Sequence, residues 1–305
     1  MAEPDGPAAG AGRRLATAPR VITVPKELRQ LTAGWTGSGQ LVGLVPTMGS
    51  LHAGHMSLVA AAQRECDKVV VSIFVNPLQF AKGEDYLSYP RRLDADLALL
   101  AEQGVDACYC PQVETVYPEG FATRVLVDAG SELWESAMRP GHFSGVATVV
   151  SKLFAAAGPG RAYFGEKDAQ QAAVVSRLAK DLDLGVEVSV CPTVRDPDGL
   201  ALSSRNQLLS AAGYRAARCL SRALIEAARR FAAGVVSGAE LSAAAAQVID
   251  SEPGVRFDYA GVVDPADFRP VIEANGATRV LVAAGVEGVH LIDTSLLASP
   301  PRASR

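Results

Sequence analysis

Apolar positions along this chain fall into two patterns that alternate from about residue 27 to residue 190. KVVVSIFV at 68–75 is apolar at almost every position, as a strand covered on both faces of a parallel sheet must be. LVGLVP at 41–46, VDACYC at 105–110, RAYF at 161–164 and VEVSV at 186–190 read as further, shorter strands. Between them the apolar spacing turns helical. Such stretches run through 27–31, from His55 through Leu58, Val59 and Ala62 to about Cys66, and over 92–103, 145–157 and 168–181. Repeated strand–helix units predict an α/β fold, a Rossmann-like open parallel sheet whose ligands bind beyond the carboxyl ends of its strands.

The pattern changes after CPTVRDPDGL at 191–200. An alanine-rich helix is expected over about 210–232 and a second over 238–249. VRFDYAGVVD, ATRVLVAAGV and GVHLIDTSL then read as strands of a smaller C-terminal α+β domain. The expected organisation is a leader over 1–20, a first domain over 21–193, a second over 194–300 and a tail over 301–305. Pro, Gly and Ala dominate the leader, which has no apolar core like that of a signal peptide.

Composition narrows the function. The 305 residues are 49% hydrophobic and 20% charged, with a net charge of -4, so no general field draws the chain to nucleic acid or an anionic membrane. No apolar run approaches the ~20 residues of a spanning helix. Cys66, Cys108, Cys110, Cys191 and Cys219 lack the spacing of a zinc site and are expected as free thiols, which points to the cytoplasm.

Candidate chemistry gathers at the strand ends. In Pro46-Thr47-Met48-Gly49-Ser50-Leu51-His52-Ala53-Gly54-His55 a strand ends, the backbone turns on glycines and a helix starts near His55. Free amides at a helix start cradle phosphate oxygens, and Gly54 lets the backbone come close to a bound group. His52 and His55 can donate hydrogen bonds to an α-phosphate under attack. A lone histidine there would more simply cap the helix, but the pair favours phosphate work. The segment matches neither the GK[ST] phosphate loop nor the GxGxxG fingerprint.

In Phe164-Gly165-Glu166-Lys167-Asp168-Ala169-Gln170-Gln171, Lys167 can set a point charge against phosphates. Asp168 can hold Lys167, cap the helix or contact a cation, and Gln171 lies near the same helical face. Ser203, Ser204 and Arg205 make a compact phosphate grip on a loop between the domains. Asn76 and Gln79, just past the 68–75 strand, can orient a small polar ligand or simply stabilise a turn. Arg139 suits a phosphate or carboxylate, while His142 suits loop orientation equally well. Asp96 stands four residues from Arg92, so a surface ion pair competes with a site role.

VPTMGSLHAGH, SIFVNPLQF, YPR at 89–91, RPGHFSGV, YFGEKDAQQ and LSSRN together resemble the pantoate–β-alanine ligases, in order and spacing, over roughly 20–300. These belong to the HxGH nucleotidyltransferases, related in fold to class I aminoacyl-tRNA synthetases. The resemblance implies an ATP-dependent ligase. Pantoate carboxylate attacks the α-phosphate of Mg-ATP, and β-alanine then attacks the pantoyl-adenylate to give pantothenate and AMP.

It also implies roles for residues. His52, His55 and Lys167 would serve the phosphates and the adenylation transition state. Pro46, Thr47, Met48, Gly49, Gly54, Gly165, Asp168, Val194, Leu202, Ser203, Ser204 and Arg205 would complete the ATP site. Asp168 would take the ribose. Met48, Gln79 and Gln171 would bind pantoate, with Asn76 and Arg139 in support, and Asp96 would serve the Mg2+ environment. A homodimer formed through the larger domain, with the smaller domain as a lid, is implied as well. Ser50, Ala53, Ala95, Ala169 and Leu202 depart from the commoner family pattern without removing a charge given a central step. Another HxGH nucleotidyltransferase and a non-enzymatic nucleotide sensor are the competing functions. The paired amides Gln79 and Gln171 speak against the first, and the full set of phosphate-binding groups against the second.

Overall fold

The computed structural model describes residues 17–81, 84–128 and 133–301. Most of the expected leader and residues 302–305 of the expected tail lie outside them. The first domain runs β1 (Arg20–Ile22), α1 (Pro25–Gly37), β2 (Val42–Thr47), α2 (Ala53–Glu65), β3 (Lys68–Ile73), α3 (Leu93–Glu102) and β4 (Ala107–Tyr109). It continues through the short helices α4 (Val113–Val116) and α5 (Glu135–Met138), then α6 (His142–Ala157), β5 (Arg161–Gly165), α7 (Ala169–Asp181) and β6 (Glu187–Cys191). All pairings among these strands are parallel, in the order β1-β4-β3-β2-β5-β6.

Two-residue alternation explains why the strands are apolar throughout. Val42 and Leu44 of β2 and Val70 of β3 face a core shared with α6 and α7. Val45, Val69 and Val71 face the opposite core, built with α2 and α3. After β4 the chain crosses to the far side of β2 to form β5, so the order reverses around β2. That reversal opens a crevice at the carboxyl ends of β2 and β5, where a doubly wound sheet binds its ligands.

Three expectations need correction. Arg20, counted in the expected leader, already pairs with Ala107 in β1. A three-residue edge strand is too short to show a period. The α2 helix begins at Ala53, two residues before the expected start, because His52 itself is the cap. The single helix expected over 210–232 is two, α8 (Ala211–Ala217) and α9 (Cys219–Ala232). At Arg218 the backbone stays right-handed and its amide donates to Arg215 O, three residues back, so the chain tightens without a glycine or proline to signal it.

The C-terminal unit adds α10 (Gly238–Asp250) and the antiparallel meander β7 (Val255–Val263), β8 (Arg279–Val286) and β9 (Val289–Leu296). Leu220 and Leu224 of α9 and Leu241 of α10 pack on one face of this sheet, against Val280, Val282 and Ala284. The other face turns toward the first domain. Phe268 and Leu281 meet Trp134, Ala169 and Tyr259, and Trp134 Nε1 donates to Phe268 O at 2.8 Å. Arg195, in the segment joining the units, grips the buried Asp293 of β9 at 2.6 and 2.8 Å. The second unit is thus held over the crevice of the first.

Candidate active site

Where β2 runs out, Gly49 and Ser50 both adopt positive φ, 85° and 52°, and throw the chain back into α2. His52 accepts the Gly54 amide on Nδ1 at 3.1 Å, and His55 accepts the His52 amide on Nδ1 at 3.3 Å. The rings lie 4.0 Å apart, centroid to centroid. Both histidines therefore cap the helix, and capping decides their chemistry. A neutral ring that accepts on Nδ1 carries its proton on Nε2.

Both rings are neutral. Burial, and then the Lys167 charge, lower His52 to about 4 despite Asp168. Burial, then His52 and Lys167, lower His55 to about 3. Both rings line the crevice, where two N–H donors stand beside the positive end of α2. A Cβ at residue 54 would come within 2.9 Å of the His52 ring, so Gly54 protects this pairing as well as the approach to a ligand.

Asp96 anchors the turn from behind. It is 2% exposed, and its two carboxylate oxygens accept the amides of Ser50 and Leu51 at 2.8 and 2.7 Å. It does not line the crevice, and among the described residues its carboxylate makes no ion pair with the Arg92 side chain; only its amide meets Arg92, donating to the carbonyl at 2.9 Å. The turn is tied to the second unit as well. Ser204 Oγ donates to Ser50 O at 3.1 Å, and Gln207 Nε2 donates to Ser50 Oγ at 3.2 Å.

The amide wall has an ordered hierarchy. Asn76 donates from Nδ2 to Gln79 Oε1 and to Gly145 O, both at 3.1 Å, and accepts Tyr117 Oη at 2.8 Å. Gln79 is thereby oriented with Nε2 toward Met48 Sδ, 3.1 Å away. Gln171 enters the crevice from α7. Arg139 is fully engaged by protein. It donates to both Glu84 oxygens at 3.0 and 2.7 Å and to Gln79 O at 3.2 Å. His142 donates from Nδ1 to Gln79 O at 2.8 Å, which leaves Nε2 to accept Arg139 Nη1 at 3.3 Å. Burial foremost, then the Arg139 charge, push His142 down to about 4. Arg139 and His142 together fix the carbonyl of Gln79.

Facing the histidines, Lys167 reaches Asp168 at 3.3 Å. Ser203 Oγ accepts the Arg205 amide at 3.3 Å and caps the 3₁₀ turn Ser204–Leu208. The Leu202 amide donates to Val194 O at 3.0 Å, closing the wall on that side. The cleft so formed encloses about 1340 Å³ out to its open mouth, room for a nucleotide beside a small acid. Each residue selected from the sequence lines it except Gly49 and Asp96.

Sequence reasoning missed Glu84 and Asp85, which hold Arg139 and Arg205, and Tyr89, buried in the wall. The adjacent acids stood in plain view in GEDYLSYP, but nothing local reveals partners 55 and 120 residues away. The charges are balanced: Lys167, Arg139 and Arg205 stand against Asp168, Glu84 and Asp85. Anionic phosphates would depend heavily on the neutral donors, which are the imidazoles, the α2 amides and the hydroxyls.

The family model for pantoate–β-alanine ligase matches residues 20–296. Pantothenate synthetase of Rubrobacter xylanophilus is 52% identical over 285 residues, covering 91% of this chain and 98% of its own. The crystal structure of pantothenate synthetase from Thermus thermophilus superposes with a TM-score of 0.86 at 48% identity, over 91% of this chain and 99% of that one. Pantoate–β-alanine ligase from Francisella tularensis, complexed with β-γ ATP and β-alanine, gives 0.78 at 33% identity, over 93% and 100%. With the model spanning nearly the whole chain and the crevice furnished as described, this chain belongs to the pantoate–β-alanine ligase family.

Proposed function

We propose that this single cleft performs both half-reactions of the ligase, with the neutral histidine pair as its electrostatic centre. The activity is ATP-dependent condensation of pantoate with β-alanine through pantoyl-adenylate. In the first step a pantoate carboxylate oxygen bonds to the α-phosphorus of ATP and pyrophosphate leaves. In the second the β-alanine amine bonds to the acyl carbon, loses a proton, and AMP leaves. The observation that carries this reading is the capping contact that each histidine makes through Nδ1. Capping through Nδ1 directs Nε2–H of His52 and His55 to the phosphate region, so charge developing at the α-phosphate meets fixed donors that need not reorganise.

Gln79, held by Asn76, and Gln171 would receive pantoate from opposite walls beside Met48. Lys167, Ser203, Ser204 and Arg205 would hold the phosphates, Asp168 the ribose, and Val194 and Leu202 would flank the nucleotide. Binding and alignment of the reactants supply the rest of the acceleration. The complex of the Francisella relative with β-γ ATP and β-alanine supports one cleft for both steps.

Asp96 does not fit a metal-ligand role, because both its oxygens are taken by amides behind the wall. Among the described residues no cluster of three or more His, Cys, Asp or Glu could hold an ion. Mg2+ would then arrive on the ATP phosphates instead of resting in a protein cage. The family resemblance supports a homodimer built on the larger domain, which a single-chain mass in analytical ultracentrifugation would exclude. Five free thiols support a cytoplasmic location.

The test follows ATP, AMP and pantothenate by mass spectrometry with pantoate and Mg2+ present. Pantothenate and AMP should appear together only when β-alanine is added. ATP bound by folded protein without either product would favour a nucleotide sensor.

A further inference from the structure

Glu84 and Asp85 are consecutive, and each chelates a different arginine of the cleft. Glu84 takes Nε and Nη2 of Arg139, at 3.0 and 2.7 Å. Asp85 takes Nε and Nη2 of Arg205, at 2.8 and 3.0 Å. The two pairs do different work. Arg139 spends its remaining hydrogen bonds on Gln79 O and His142, so its pair is structural. Arg205 is held along one edge, and among the described residues its Nη1 edge takes no hydrogen bond although the residue lines the cleft.

A two-point contact through Nε and Nη2 fixes the plane of a guanidinium as well as its position. The side chain is thereby presented edge-on, with Nη1 as its outward donor. The Asp85 carboxyl is kept charged for this contact. Burial works to raise it, but the Arg205 guanidinium overrides burial and holds it below the usual carboxylate range. Asp85 therefore stays an acceptor throughout the neutral range.

We propose that Asp85 is a positioning residue for pyrophosphate formation, acting through Arg205 by fixing the guanidinium plane so that its Nη1 edge meets the leaving phosphates. The proposal rests on the reading of Arg205 as a phosphate ligand. A carboxylate this close to a triphosphate opposes ATP binding by simple charge, so its presence makes sense only if orientation outweighs repulsion. The two effects separate in kinetics. Removing the negative charge should leave the ATP KM unchanged or lower it, while loss of orientation should depress kcat.

The experiment measures pyrophosphate release with saturating pantoate, across ATP concentrations, in wild type, Asp85→Asn, Asp85→Glu, Arg205→Ala and the Asp85→Asn/Arg205→Ala double variant. Asp85→Ser serves if Asp85→Asn does not fold. The expected result is a roughly tenfold fall in kcat for Asp85→Asn with the ATP KM no higher than wild type. Asp85→Glu, which keeps both acceptors, should recover most of that loss. In the Arg205→Ala background Asp85→Asn should change kcat less than twofold.

Wild-type kcat in Asp85→Asn, or a tenfold loss that persists on top of Arg205→Ala, would overturn the proposal. A KM rise that accounts for the whole effect would do the same. Wild-type enzyme that releases no pyrophosphate would instead defeat the underlying reading, so the two failures are distinct.

Discussion

At the scale of single residues, the chemistry of this site follows from which nitrogen of each histidine the backbone claims. Because His52 and His55 are lowered to about 4 and about 3, they remain neutral donors at every physiological pH. Pyrophosphate release should therefore show no inflexion from His52 or His55 between about pH 5 and 8. A step near the ordinary histidine value of about 6.5 that vanished in His55→Gln would refute the neutral-donor role. His55→Ala should cut that rate by about a hundredfold, as loss of a transition-state donor does elsewhere, while costing only about 1 kcal/mol of stability through the lost cap. Linkage gives a second signature. A histidine whose folded pKa is depressed contributes stability that is complete above its unfolded value and declines as pH falls toward the folded one. Thermal stability should thus drop on acidification below about 6.5, and less steeply in the His52→Gln/His55→Gln double variant. The histidines could be picked out of the sequence, but their tautomer could not, since it depends on a turn whose amides are placed by Asp96 from α3.

At the scale of elements, the strands were legible because burial on both faces leaves an apolar run. What escaped was whatever depends on one element pressing upon another. Leu78 and Gln79 sit in a 3₁₀ turn directly under α6, and Gly145 of that helix meets their backbone. A Cβ at 145 would lie 2.6 Å from Gln79 N and closer still to the Leu78 carbonyl, both backbone and unable to swing aside. The sequence shows Gly145 only as a mid-helix glycine, ordinarily a small penalty relative to alanine. Here the sign reverses. Gly145→Ala should destabilise by about 1–3 kcal/mol, through overpacking. It should also raise the pantoate KM more than the ATP KM, because Asn76 and Gln79 would shift together. Urea denaturation and initial-rate kinetics measure the two effects, and an Ala variant of wild-type stability would show that α6 and the turn are not in rigid contact. The break at Arg218 was hidden for a related reason, since it changes a hydrogen-bond partner and not a residue type.

At the scale of the whole molecule, the two units meet across ionisable groups whose protonation the geometry dictates. His290 of β9 has Nε2 at 2.8 Å from Glu135 Oε1 and Nδ1 at 2.8 Å from Asp258 Oδ2. Both ring nitrogens face carboxylates, which only the imidazolium can satisfy with two donors. Tyr259 Oη also donates to Glu135, at 3.0 Å; Arg139 stands 3.8 Å from Glu135, and Arg256 pairs with Asp258 at 2.9 Å. Burial opposes the charge on His290, but Glu135 and Asp258 outweigh it and raise its pKa. Glu135, despite its own burial, is drawn down to about 2 by His290 and Arg139. The sign is opposite to that of His52 and His55: a raised histidine contributes fully below its unfolded value and loses that contribution as pH rises through the folded one. The seam should therefore loosen as pH rises through that raised value, where a neutral ring leaves one carboxylate facing a lone pair. Hydrogen exchange in 255–263 and 289–296 should quicken with pH beyond the intrinsic rate, and His290→Gln should abolish that excess while costing about 2 kcal/mol of seam stability. His290→Arg keeps a cation at every pH and should remove the pH slope without the loss. Because Arg279 of the same sheet holds Glu166 at 2.7 Å, next to Lys167, a loosened seam also frees the segment that carries this cleft-lining lysine. The alkaline limb of pyrophosphate release should then move with the seam and disappear in His290→Arg. An alkaline limb unchanged in that variant would place its origin inside the cleft and not at the boundary between the two units.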